Sequence, residues 1–175
     1  NPSRSSRKGP GRCPHQGHAV SMVWIVVACF AFAGVVSGAS TAITGPTVIS
    51  VPGNDVLANS IANSTEKICI LITVPNVVLD GRGNSIDGVD DADSIGIKAY
   101  NSAMTLFNVI ITNVKLSDWG TGVHLQNVKN SQIKSVTAAN NTGNGIALQG
   151  SMRNTIESCT ASSNGATGII LYATS

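Results

Sequence analysis

No apolar run in this 175-residue chain is long enough to span a bilayer as a helix. The longest, residues 22–36, holds 15 residues against the roughly 20 that a span needs. Basic residues are scarce beyond the start. Four of the 11 Lys and Arg, and none of the nine Asp and Glu, lie in residues 1–39. That leaves seven basic against nine acidic residues, a net of −2, and excludes the basic stripe of a nucleic-acid binder. Of four cysteines only Cys69 and Cys159 fall after residue 39, in separate segments. An exported location would allow a bridge between them, but two buried free thiols are expected. Residues 40–175 carry no Cys, His and Met grouping of the kind a copper site needs. Cys13-Pro14-His15-Gln16-Gly17-His18 resembles a metal motif, yet it precedes the apolar run and reads as incidental. Aromatics make up 4% of the chain, so each tryptophan has to be weighed individually.

What the chain has is a repeat. Gly122, Gly145 and Gly168 recur at every twenty-third position and open the segments Gly122-Val123-His124-Leu125, Gly145-Ile146-Ala147-Leu148 and Gly168-Ile169-Ile170-Leu171. Between them Ile133 matches Ile156, Val136 matches Cys159, Ala138 matches Ala161 and Asn141 matches Asn164. A period this short cannot hold two packed helices and a turn, which take upwards of about 33 residues. Val123 and Leu125, with their equivalents, alternate with the freely varying His124, Ala147 and Ile170, which is the period-two signal of a strand. Asn, Ser, Gly and Thr between the apolar groups turn the chain. The pattern predicts two or three short strands per rung of a parallel β-helix, an all-β solenoid of about 23-residue rungs stacked roughly 4.8 Å apart. Asn141 and Asn164 should form an amide ladder, and Lys134, Arg153 and Glu157 should face water. Upstream, Gly96 precedes Gly122 by twenty-six positions, and Leu106, Val109 and Ile111 precede Ile133, Val136 and Ala138 by twenty-seven. Residues 68–74 form a continuous apolar strand expected to be covered on both faces. Residues 87–94 and 115–121 read as insertions, which in solenoids map to loops on one side.

Residues 1–39 have the basic, apolar, small-residue order of a leader and signal peptide, with Arg4, Arg7, Lys8 and Arg12 before the run and Ser37-Gly38-Ala39 after it. Cleavage near Ala39 is the expectation, and an uncleaved membrane anchor the alternative. Residues 40–175 then form one β-helix domain. Ser175 falls one strand into a new rung, so the expectation is that the protein continues and that this chain is truncated at its C-terminal side. Asn63-Ser64-Thr65 and Asn140-Asn141-Thr142 fit the glycosylation acceptor pattern.

From about Ser50 onward the chain resembles the right-handed β-helix domains of the NosD-like and carbohydrate-binding or sugar-hydrolase type. The resemblance rests on the rung opener Val78-Leu79-Asp80-Gly81-Arg82-Gly83-Asn84-Ser85-Ile86-Asp87-Gly88 and on the Gly-Ile-x-Leu rung that follows. It implies a right-handed coil in an exported protein. It does not imply one activity, since such rungs occur in enzymes, binding modules and surface stalks.

Acidic residues and one tryptophan carry the candidate chemistry. Asp87, Asp90, Asp91 and Asp93 place four carboxylates in one short stretch, which could hold Ca²⁺ through oxygen ligands, or could serve a solvated turn. No other cofactor is expected. Glycosidases need carboxylates converging about 5 to 9.5 Å apart, and Asp80, Asp87 and Asp118 are the available set. Asp80-Gly81 and Asp87-Gly88 are also what turns require, and the paired Asp with His and Arg or Lys of the polygalacturonase family is missing. Lys98, Lys115 and Arg82 are available as basic partners of a lyase. Trp119, beside Asp118, could stack on a sugar ring or plug the coil. His124 has no metal-binding partner at a matched rung position.

The leading expectation is an exported, non-enzymatic surface or secreted module, periplasmic or at the cell surface. Its partners would be a polysaccharide or glycoprotein surface, with no nucleic acid, and a membrane only through the N-terminal segment if uncleaved. The alternatives are a polysaccharide-active lyase, hydrolase or epimerase whose catalytic rungs are incomplete here, and a periplasmic NosD-like factor in copper-enzyme maturation.

Overall fold

The computed structural model describes residues 40–173, so the leader, its cleavage site and the anchor alternative lie outside the described residues. Each coil has three walls. The first stacks Thr41–Ile43, Gly53–Leu57, Val77–Asp80, Val109–Thr112, Gln132–Lys134 and Thr155–Glu157, all parallel. Two long strands, Ser85–Ala99 and Lys115–Gln126, bend round a corner and serve two walls. Their opening residues form the second wall with Thr137–Ala139 and Thr160–Ser162. Their closing halves form the third wall with Thr47–Ile49, Ile68–Ile72, Asn144–Gln149 and Ile169–Tyr172. A narrow strip, Leu106–Phe107 beside Val128–Lys129, leads from the third wall back to the first.

The ladders obey the repeat. Ile133 pairs with Ile156, Ala138 with Ala161, and Val123 with Ile146 and then Ile169. Leu79, Ile111 and Ile133 stack inward and are fully buried, each contributing roughly 1.5–3 kcal/mol by leaving water. Lys134 and Glu157 face out and pair across two rungs at 3.5 Å. Corners are turned by single residues in the left-handed region. Asn108, Asn130 and Arg153, then Asn113, Ser135 and Ser158, then Asp118, Asn140 and Ser163 all have φ between +49° and +60°. Asn and Asp tolerate this backbone because their short side chains bond locally, which is why they recur at these positions.

Two upstream readings need correction. Ile111 pairs with Ile133 and Leu116 with Ala138, an offset of 22 in place of the 27 read from the sequence. Residues 115–121 are no insertion, since Lys115 pairs with Thr137 and Thr121 with Asn144. The extra residues lie one coil earlier, in the bulge between Asp87 and Ile95 and in the loop after Ala99. In Ile68–Ile72 the inward Ile70 and Ile72 are fully buried, and on the outward face Cys69 is fully buried and Leu71 half-buried, so that strand is covered completely on one face and in part on the other. Cys69 and Cys159 are both free; burial pushes the Cys69 thiol up to about 11, whereas Cys159 is only half-buried.

Candidate functional site

The acidic residues gather at the corner between the second and third walls. Asp87 and Ser117 are register partners on the second wall, and Ser117 Oγ donates to Asp87 Oδ1 at 2.5 Å. Asp118 follows at the corner with φ +60°, the place held by Asn140 and Ser163 in later coils. Desolvation, then a hydrogen bond shared with Asp87, then the Asp87 and Asp90 charges raise the Asp118 carboxyl above the ordinary aspartate value.

Of the remaining acidic residues, Asp90 lies near enough for its charge to act on Asp118, whereas Asp91 turns to Lys67. Asp91 Oδ2 pairs with Lys67 Nζ at 2.7 Å, and that hydrogen bond, followed by one from the Asp93 amide, lowers its carboxyl. Asp90 sits at φ +60° and turns the bulge. Among the described residues no three His, Cys, Asp or Glu side chains group as metal ligands. Of the four carboxylates read as a possible calcium set, Asp91 is engaged by Lys67 and Asp87 by Ser117. Asp80 caps a different corner, where its Oδ1 accepts from the Arg82 amide at 2.9 Å and from Asn113 Nδ2 at 3.2 Å.

Trp119 is fully buried, and its Nε1 donates to the Ile86 carbonyl at 3.0 Å. The ring lies inside the coil, so the sugar-stacking role is corrected to a plug. The reason is the corner: beyond Asp118 the in-and-out alternation of a strand breaks, and Trp119 points inward. It occupies the place of Asn141 in the next coil. The Trp119 amide donates to Asn141 Oδ1 at 3.2 Å, as the Asn141 amide donates to Asn164 Oδ1 at 3.1 Å.

The third wall presents a different surface. Lys98, His124 and Ala147 share one outward ladder, and Gln126, Gln149 and Tyr172 share the next. Tyr100 follows the Ala99–Leu125 pair and so heads the second ladder. Lys98 Nζ lies 4.9 Å from the centre of the Tyr100 ring. Burial, then the Lys98 charge, lower the His124 pKa against a hydrogen bond to Gln149 that raises it. His124 Nε2 is buried without a hydrogen-bond partner. The sequence pattern places His124 outward but does not mark this row, although residues 126, 149 and 172 keep the spacing of the glycines.

The raised Asp118 carboxyl makes stability depend on pH. A carboxyl raised in the folded state leaves the folded protein holding more protons than the unfolded one, so its contribution to stability falls as pH rises above about 4. Asp118→Asn keeps a residue suited to the left-handed backbone of this corner and removes the repulsion. We expect Tm to rise by about 2 °C at pH 7 and to match wild type near pH 3; an unchanged Tm at pH 7 would show that the carboxyls do not repel.

Comparison with known proteins agrees with this geometry. No curated protein and no solved structure matches the chain. Residues 69–175 match the family model of the right-handed β-helix region, and with its parallel three-walled coils the chain belongs to that family.

Proposed function

We propose that this chain is an exported, non-enzymatic module that binds glycans through the outward face of its third wall. The observation that carries this reading is the row Tyr100, Gln126, Gln149 and Tyr172, one residue per coil, beside Lys98 and His124. Amide side chains offer both donors and acceptors to hydroxyls, and aromatic rings at each end offer faces to sugar rings. Three coils separate the two tyrosines, about 14 Å at the spacing of stacked strands, so the row suits an extended chain better than a single sugar. Export is supported by the order of residues 1–39.

Binding of polysaccharides by the full chain, measured by affinity electrophoresis, tests this. Tyr100→Ala combined with Gln149→Ala should weaken retention about tenfold or more, with circular dichroism unchanged. Retention that survives this double change would place the binding surface elsewhere.

A second reading, a polysaccharide-active enzyme, is favoured by the raised carboxyl of Asp118 beside that of Asp87, two groups of the kind that general acid and base catalysis needs. Asp118→Asn separates the two readings. On the binding reading it leaves glycan affinity intact; on the enzyme reading it abolishes turnover of the same polysaccharide.

A further inference from the structure

We infer that the glycan held on the third wall is anionic, its charges lying against Lys98 and His124. This rests on the glycan-binding reading above. Charge is distributed unevenly around the coil. None of the nine acidic residues stands on the outward face of the third wall or on the strip that follows it. They lie instead on the first wall, on the second, and at the corner and bulge between the second and third. The domain from residue 40 has a net charge of −2, yet the charged side chain that this face presents is the cation of Lys98.

The lysines differ accordingly. Lys67 and Lys134 are held by Asp91 and Glu157. Lys98 has no ion pair among the described residues and rests over Tyr100. Lys129, on the strip beyond the Asn127 corner and between Phe107 and Met152, extends the cationic line. His124 stacks one rung from Lys98. Facing it are Lys98 from the preceding coil, Ala147 and Gln149 from the next, and Gln126 from its own strand, with no carboxylate among them. Lys98 has no counter-ion among the described residues, and burial together with the Lys98 charge favours the neutral ring of His124. A carboxylate or similar anion on the glycan supplies that counter-ion and offsets the charge that opposes protonation of the ring. Because the anion favours the protonated ring, binding takes up a proton and tightens as pH falls.

The test uses the full chain with three polymers: dextran, carboxymethyl-dextran on the same sugar backbone, and polyglutamate. Carboxymethyl-dextran should bind at least tenfold more tightly than dextran, and a few-fold more tightly at pH 5.5 than at pH 8. Lys98→Gln should remove most of the preference, and His124→Gln the pH dependence, with the circular dichroism spectrum unchanged in both. Equal binding of dextran and carboxymethyl-dextran would overturn the anionic inference and leave the glycan reading standing. Equal binding of polyglutamate would show charge attraction without sugar recognition and overturn the inference. Binding of none of the three would overturn both. A Lys98→Gln chain that keeps its preference, or a His124→Gln chain that keeps its pH dependence, would remove that residue from the site and the inference with it.

Discussion

Trp119→Ala should lower the unfolding free energy by about 3–5 kcal/mol, the range for emptying a fully buried tryptophan site. The site cannot collapse to refill the space. The indole lies against the places where Gly88 and Gly96 lack side chains: a Cβ on Gly88 would come 2.9 Å from the ring, and one on Gly96 3.2 Å from it. Gly96 is held between the Ile95–Thr121 and Ile97–Val123 pairs, and Gly88 follows Asp87, whose backbone bonds Ile61 and Ser64, so a cavity remains when the ring is removed. The Ile86 carbonyl loses its donor as well. Trp119→Phe keeps most of the packing but still orphans that carbonyl, and should cost about 1–3 kcal/mol. The order wild type, Phe, Ala in urea midpoints would confirm an internal plug. A Trp119→Ala chain as stable as wild type would contradict the buried placement.

The same residue shows where the sequence could and could not be read. Ile133 with Ile156 and Ala138 with Ala161 were legible because identical spacing forces identical stacking, and one side chain predicts its neighbour. The amide ladder from Asn141 to Asn164 was legible for the same reason, with Asn141 Nδ2 donating to Asn164 Oδ1 at 2.9 Å. Spacing failed where one coil is longer than the next. Val77 pairs with Val109, a far wider interval than the glycine repeat, so a constant period puts Leu106, Val109 and Ile111 out of register. Asp118 then looked like part of an insertion, when it is a corner residue like Asn140. Direction failed at corners, because period-two alternation holds only along a straight strand. Asp118 faces out and half-buried while Trp119 beside it is sealed inside. The acidic pair needed three dimensions, since Asp87 and Asp118 meet only through stacking. The row of Tyr100, Gln126, Gln149 and Tyr172 did not: its spacing was present, but its residues differ in type and so form no visible motif.

The glycine that opens each rung gives the last prediction. Gly122 is no turn glycine; it lies within a strand and its neighbours decide the residue. A Cβ there would stand 2.7 Å from the Gly145 carbonyl oxygen and 3.1 Å from the Ala138 Cβ, with Asn141 Nδ2 at 3.3 Å. The carbonyl belongs to the next coil and the amide to the internal ladder, so neither can yield without shifting a rung. Gly122→Ala should therefore cost about 3 kcal/mol, at the upper end of overpacking, and lower Tm by about 6–12 °C. Gly122→Val should cost more. Gly45 supplies the control, because a Cβ there meets nothing within 4 Å. Gly45→Ala should be neutral, or stabilise by a few tenths of a kcal/mol through the unfolded chain. A Gly122→Ala chain that melts with wild type would mean that relaxation of the coil absorbs a methyl, and that the repeated glycine answers to something other than space. If the two glycines separate as expected, the recurrence of Gly96, Gly122 and Gly145 records a packing limit: at each, a Cβ would stand within 2.8 Å of the carbonyl oxygen of the matching glycine in the next coil.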